Sequence, residues 1–317
     1  MQKRSLGRTG LSIAPLVFGG NVFGWTVDEA QSFALLDAFV DHGFDAIDTA
    51  DVYSGWVPGN RGGESETIIG NWLKARPSMR DRVTIFTKVG MDMGPPGEKG
   101  LSARWITQGA ERSLSRLGIE TIDLYFSHAF DPETPAEETL TAYDRLIEAG
   151  KVRAVGASNF TADQLAAALG VSRERDLPRY DVLQPEYSLV ERDGFEGAVA
   201  DLCAAEGIGV VTYFSLASGF LTGKYRSEAD LGRSTRGGRV AKYLDARGLA
   251  TLDALDAVAA RHGATPGAVA LAWLIAQPAV TAPIASATHV GQVAEFARAA
   301  EIVLSDEDVA ALNNASA

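Results

Sequence analysis

Phe44-Asp45-Ala46-Ile47-Asp48-Thr49-Ala50-Asp51-Val52-Tyr53 is the stretch whose reading decides the fold. A short apolar run ends in an acid, Asp48, and a phenol follows five residues later. An acid at the end of a buried strand is unfavourable unless it has a partner. Asp48 therefore marks a strand leaving a core at a place where polar groups meet. If several strands build that place, the pattern should recur along the chain.

It does. Short apolar runs alternate with amphipathic segments, the signature of a parallel sheet with crossover helices. The spacing predicts strands at Leu16–Gly19, Asp45–Asp48, Val83–Lys88, Ile122–Ser127, Arg153–Ala157, Asp181–Gln184, Gly209–Phe214 and Val280–Ile284. Helices are expected at Asp28–His42, Glu64–Ala75, Ala103–Leu117, Ala136–Ala149, Ala162–Leu169, Gly194–Glu206, Gly248–His262, Pro266–Ala276 and Val290–Ala299. Lys3–Leu6 and Leu11–Ile13 flank Gly7-Arg8-Thr9-Gly10 and read as a hairpin. Ser305-Asp306-Glu307-Asp308 is a capping-box pattern that opens an extra C-terminal helix. Eight β-α units predict one α/β domain over residues 1–317, a (β/α)8 TIM barrel with an N-terminal β-hairpin. A doubly wound sheet is the alternative. Against it, Gly19-Gly20-Asn21-Val22-Phe23-Gly24 only approximates the dinucleotide fingerprint.

Composition narrows the function. A net charge of −12 argues against nucleic acid or an acidic membrane surface as partner. One cysteine, Cys203, permits no intramolecular disulfide, and its apolar surroundings suit a structural thiol. No apolar segment follows the basic N-terminus, and Ala268–Ala276 is too short to span a bilayer. A cytoplasmic protein is expected, acting on a small molecule without a membrane. A homo-oligomer is compatible with the sequence. Three connections are long: Ser54–Gly63, Gly90–Leu101 and Tyr225–Tyr243, the last carrying Arg226, Arg233, Arg236, Arg239 and Lys242. Each follows a strand and should lie at the barrel's C-terminal mouth.

The strand tips read Asp48, Lys88, His128, Ser158-Asn159, Gln184, Tyr213 and Ser286. Lys88 ends an apolar strand and needs a partner, for which Asp48 is suited. A cation beside Tyr53 is expected to lower the phenol pKa and make it a general acid and base. His128 can point an N–H at a carbonyl oxygen. Singly, each has a plain alternative: a barrel ion pair, a core histidine, a surface tyrosine. Metal ligation lacks ligand spacing among the four histidines, and metal is not expected. A Schiff-base aldolase using Lys88 is a rival, but leaves Tyr53, Asn159 and Gln184 unexplained.

The chain resembles the aldo-keto reductase family along nearly its whole length. The matching pieces are Asp48-Thr49-Ala50-Asp51-Val52-Tyr53, Thr87-Lys88, Ile122–His128, Gly150–Phe160, Gln184-Pro185-Glu186-Tyr187 and Leu221-Thr222-Gly223-Lys224-Tyr225. The Ser54–Gly63 insert and Phe214–Gly219 look like the bacterial, potassium-channel-β-like branch. The resemblance implies a catalytic tetrad of Asp48, Tyr53, Lys88 and His128 and an extended NADP(H), with NAD(H) the alternative. It implies that Ser158, Asn159 and Gln184 hold the carboxamide and that Tyr213 stacks on the nicotinamide. Phe214, Ser215, Leu216, Ala217 and Ser218 would line the pyrophosphate path, with Lys224 and one or more of Arg226, Arg233 and Arg236 closing over it. Ser286, Thr288, His289, Gln292 and Glu295 align with the adenosine-phosphate end. His289 stands where the family often has Arg or Lys, and Phe296 where it often has Asn beside the adenine. Phe214-Ser215 replaces a common Ser-Pro. Phe23, Trp25, Trp56, Phe130 and Tyr187 are expected as walls of a pocket for a carbonyl or alcohol substrate. A cofactor-binding regulatory subunit with vestigial activity is the other function class.

Overall fold

The structure, a computed structural model, describes residues 1–317. At the N-terminus, Arg4–Ser5 (β1) pairs antiparallel with Ser12–Ile13 (β2). The turn between them carries Gly7 at φ +57°, where a Cβ would lie 2.1 Å from the Asp181 carbonyl. Only glycine allows the hairpin to seat this closely against the barrel floor.

Eight parallel strands follow: β3 (Val17–Gly19), β4 (Ala46–Asp48), β5 (Thr84–Val89), β6 (Ile122–Ser127), β7 (Val152–Ser158), β8 (Val182–Gln184), β9 (Gly209–Thr212) and β10 (Ala282–Ala285). They pair in sequence order, and β10 pairs with both β9 and β3, which closes the barrel. The helices outside are α1 (Glu29–Asp41), α2 (Glu64–Ala75), α3 (Ala103–Leu117), α4 (Ala136–Glu148), α5 (Ala162–Arg175) and α6 (Ala198–Glu206). A four-residue α7 (Gly237–Val240) precedes α8 (Ala246–His262), α9 (Pro266–Ala276), α10 (Val290–Glu301) and α11 (Asp306–Ser316). This is a (β/α)8 barrel with the hairpin and the C-terminal helix expected from the sequence. No helix is long and apolar enough to cross a membrane.

Strand side chains alternate between two cores. Val17, Ala46, Phe86, Leu124, Phe126, Ala154, Val182, Val211, Ala282 and Ile284 fill the barrel, and Leu6, Leu11 and Ile13 of the hairpin segment join them. Phe18, Ile47, Ile85, Val89, Tyr125, Val155, Leu183 and Val210 face the helices in a second, larger cluster. The period of two decides where the tips point. Asp48, Lys88, His128, Gln184, Tyr213 and Ser286 each lie two residues past an inward apolar residue, from Ala46 to Ile284. All therefore turn toward the barrel axis.

Some boundaries move. α5 runs six residues past Leu169, because Gly170 lies on an open side of the helix while Ser172 keeps its buried face. It stops at Asp176, left-handed at φ +53°, after which the Leu177 N–H bonds the Ser172 carbonyl. α6 begins at Ala198 rather than Gly194. The long Tyr225–Tyr243 connection holds helical turns at Glu228–Arg233 and in α7. α11 opens with the Ser305–Asp308 capping box. Asp308 also receives Arg261 at 2.5 Å and His262 at 2.8 Å from α8.

A polar tie fixes α2 and α3 behind the site. Glu66 is fully buried, accepting Thr87 Oγ1 at 2.5 Å and Arg116 Nε at 2.6 Å. Removing one partner of a buried pair leaves an uncompensated charge. Arg116→Ala is expected to destabilise the protein by about 3 kcal/mol, toward the low end for buried pairs because Arg116 is partly exposed. A guanidinium-chloride midpoint that falls at unchanged slope checks this.

Candidate active site

Asp48, on β4, and Lys88, on β5, meet inside the mouth. Lys88 Nζ donates to Asp48 Oδ2 at 2.7 Å, to the Thr49 carbonyl at 2.8 Å and to Tyr53 Oη at 2.9 Å. Its three N–H groups thus have three acceptors, and its side chain is fully buried. Gln184 Nε2 donates to the other carboxylate oxygen of Asp48 at 2.8 Å. Tyr53 Oη donates to Asp48 Oδ2 at 3.2 Å. The four side chains form one closed network.

Tyr53 owes its place to the exit loop. Ser54, left-handed at φ +67°, donates its hydroxyl to the Phe23 carbonyl at 2.6 Å. Asn60 Nδ2 bonds the Gly24 and Ser54 carbonyls at 3.1 Å each. The loop is thereby tied to the turn after β3, and Tyr53 leans over the barrel. Its ring lies 4.6 Å from Lys88 Nζ and 6.0 Å from the His128 ring.

The electrostatics correct one expectation. The Tyr53 pKa is pushed well above its ordinary value, by burial first and by the Asp48 charge second, rather than lowered by Lys88. The cation is shared with Asp48, so its field at the phenol is largely cancelled. Burial lowers the Lys88 pKa, with Asp48 opposing. His128 is held well below its ordinary value by burial and then by Lys88, so the ring is neutral. Its Nδ1 is buried and has no partner.

The other tips lie where the alternation puts them. Ser158 Oγ donates to the Gln184 carbonyl at 2.9 Å. Asn159, left-handed at φ +58°, donates to the His128 carbonyl and to Ser158 Oγ, and accepts from Tyr213 Oη at 2.7 Å. Burial raises the Tyr213 pKa to about 12. Ser286 Oγ donates to Asn21 Oδ1 at 2.7 Å, across a gap that a Cβ on Gly19 would fill, 2.6 Å from that hydroxyl. Gln292 Oε1 accepts from the Thr288 N–H at 2.7 Å, and exposed His289 precedes α10 without a side-chain bond to its first turn.

Several expected residues do other work. Phe23 is fully buried and stacks on Phe18 at 5.3 Å, so it belongs to the core and not to the pocket wall. Tyr187 is buried against Phe195 and Trp273 and donates to Glu196, which also removes it from the wall. Phe296 packs in the core near Phe18. Arg226 is taken up by Asp253 and Asp256 of α8, and Arg233 by Asp230. Glu295 Oε2 accepts from Thr265 at the start of α9. Trp56 packs edge-on against Trp25 and near Tyr53, and Phe130 packs against Phe160, with Trp56 and Phe130 exposed.

Sequence reasoning missed Asn21 and Asp51. The Asp51 carboxyl is buried with no partner on either oxygen, and burial and nearby Glu66 push its pKa well up. Its only sequence signal was an acid inside an apolar motif. A groove of about 720 Å³ opens at the opposite end of the barrel, but its one cation, Arg4, is spent on the carbonyls of Ile275, Val280 and Thr281.

The mouth has features of its own that suit a dinucleotide. Phe214, Ala217 and Ser218 are left-handed non-glycine residues in one loop after β9. Such strain concentrates where backbone is shaped around a ligand. Lys224 makes no ion pair and its Nζ lies 3.3 Å from the place of a Cβ on Gly219. These features fit a phosphate-bearing group lying along the loop.

Comparison with known proteins decides the family. The family model described as "Aldo/keto reductase family" matches residues 15–317. The chain belongs to the aldo/keto reductase family. It is 34% identical to the uncharacterized oxidoreductase YrpG of Bacillus subtilis (strain 168), over 99% of this chain and 95% of that one. It is 33% identical to a probable voltage-gated potassium channel subunit beta of Arabidopsis thaliana, over 96% and 92%. It is 32% identical to the 6-dehydroglucose reductase of Novosphingobium aromaticivorans, over 96% and 92%. As an aldo/keto reductase family member it is an oxidoreductase of a family that generally uses NADP(H).

The neutral state of His128 has a measurable consequence. Unfolded, a histidine takes up its proton near pH 6.5; here it does so only at much lower pH. Above about pH 6.5 both states are neutral and His128 adds no pH dependence to stability; below it the unfolded state binds more protons and stability falls. In an NMR titration the His128 ring should stay neutral through pH 6, and protonation near 6.5 would contradict its desolvation.

Proposed function

We propose that the protein is an NADP(H)-dependent oxidoreductase that interconverts aldehydes or ketones and alcohols, with Tyr53 as the proton donor. The observation that carries this reading is the Lys88–Tyr53–Asp48 network, which holds a neutral phenol at the mouth of the barrel. When bound, reduced nicotinamide supplies the hydride. Tyr53 gives its proton to the carbonyl oxygen. Lys88 donates to the same phenol oxygen and stabilises the phenolate left behind. Asp48 keeps Lys88 charged and in place. Neutral His128 has one ring N–H to offer the carbonyl oxygen and fixes its orientation.

Ser158, Asn159, Gln184 and Tyr213 are proposed to hold the nicotinamide end, and Ser286, Thr288, His289 and Gln292 the adenosine end. The loop Phe214–Ser218 with Lys224 would take the phosphates. NADP(H) is favoured over NAD(H) because Ser286, Thr288 and His289 gather hydrogen-bonding groups at one terminus, where a phosphate needs them. The aldolase alternative is disfavoured because the Lys88 amine has no free lone pair while it donates three hydrogen bonds.

Tyr53→Phe is expected to lower multiple-turnover NADPH oxidation with an aldehyde by a factor of about 100 or more. NADPH binding, followed by fluorescence, should persist. Wild-type turnover of the variant would remove Tyr53 from the chemistry. Single-turnover behaviour of the wild type would favour the regulatory-subunit reading instead.

A further inference from the structure

The loop that leaves β4 carries a second acid, Asp51, beyond Asp48. Its N–H bonds the Lys88 carbonyl at 3.2 Å, so the residue is fixed beside the lysine's own backbone. Its carboxyl is buried, and neither oxygen has a hydrogen-bond partner. It takes no part in the proton transfer proposed for Tyr53.

The charged groups around Asp51 are already committed. Lys88 gives its three protons to Asp48, Thr49 and Tyr53. On α3, Arg116 is tied to Glu66 of α2 and to Ser113, and Arg112 to Glu98. On α4, the Tyr143 hydroxyl is bonded to Ser127. The Tyr125 hydroxyl of β6 is buried without a partner, and Gly109 of α3 backs onto it, where a Cβ would lie 3.0 Å away. Asp48 and Glu66 have the same sign as an ionised Asp51. A carboxylate here has no direct partner for its charge, and burying an unpaired charge costs far more than burying a neutral acid. Asp51 therefore keeps its proton at neutral pH, in line with the rise that burial and then Glu66 give its pKa.

An ordinary carboxyl loses its proton about six pH units below a phenol or an ammonium group, and burial raises the carboxyl and the phenol alike. Asp51 is thus the first of the three to ionise. Its negative charge then acts on both neighbours, holding the proton on Lys88 and the proton on Tyr53. These two share a hydrogen bond of 2.9 Å and titrate together. The charge opposes loss of a proton from the pair, whichever member gives it up.

We propose that Asp51 is a positioning residue for proton transfer: it releases its proton before the Lys88–Tyr53 pair does, and the charge it then carries keeps the pair protonated as pH rises. The proposal rests on the reductase reading above, in which reduction needs Tyr53 as a phenol and Lys88 as an ammonium group. Asp51 acts through the pair alone.

Two measurements test this. The infrared difference spectrum of wild type against Asp51→Asn at neutral pH is expected to show the carbonyl band of a protonated carboxyl. Carboxylate bands in its place would overturn the proposal. The second is the pH dependence of kcat for benzaldehyde reduction at saturating NADPH. In Asp51→Asn and Asp51→Leu the alkaline loss of activity is expected about one pH unit below that of wild type, with the KM for benzaldehyde and the NADPH affinity unmoved. Leucine is close to aspartate in size and has no polar side-chain atom to bury, so the same shift in both variants separates charge from packing. Alkaline limbs that coincide with wild type in folded variants would overturn the proposal. So would an equal loss of kcat at every pH, the mark of a packing role. A wild type that reduces no aldehyde would overturn the reductase reading; the infrared band and the ultraviolet titration of Tyr53, expected to move to lower pH in Asp51→Asn, then decide Asp51 on their own.

Discussion

A fully buried ammonium group must give away all its protons in hydrogen bonds or lose its charge. Lys88 meets that requirement with Asp48, the Thr49 carbonyl and Tyr53. The rest of the site depends on this. Two of the acceptors belong to β4 and its exit, so the pair stitches neighbouring strands at the mouth. The third is the phenol itself, whose distance to the cation is thereby set. Gln184, from the other side of the barrel, holds the free oxygen of Asp48 and prevents the carboxylate from turning.

The barrel supplies the convergence. With a side-chain period of two, the residue two places past an inward apolar side chain also points inward. Phe86 therefore implies the direction of Lys88, Phe126 that of His128, and Val182 that of Gln184. One parity rule places residues far apart in sequence around a common axis. Behind this layer, buried Glu66 and Asp51 lie at the back of Lys88 and oppose the lowering of its pKa by burial. They favour its charged state without touching the mouth.

Much of this was legible in the sequence. Polar residues that end apolar strands can hardly be core, so Asp48, Lys88, His128 and Gln184 stood out from their positions alone. What was not legible required distances. Phe23 follows a strand tip as a pocket aromatic would, yet the turn after β3 folds it onto Phe18. The sequence marked the Tyr225–Tyr243 connection as basic, but it did not reveal that Asp253 and Asp256 occupy Arg226 while Arg236 stacks on Trp25. Gly170 reads as a helix end because propensity disfavours it, and tertiary packing carries α5 past it.

The Tyr53 pKa is the clearest such case. A lysine beside a phenol lowers its pKa, and a carboxylate beside it raises it. Which effect prevails depends on how the lysine's charge is shared and on how deeply the phenol is buried. Here burial and Asp48 win, so the phenol is stored as an acid, ready to give a proton during reduction. Ultraviolet difference titration of wild type against Tyr53→Phe measures that state directly. Tyr53 is expected to remain a phenol past about pH 10, the ordinary tyrosine value. One tyrosinate per chain appearing between about pH 7 and 9, absent from the variant, would contradict it.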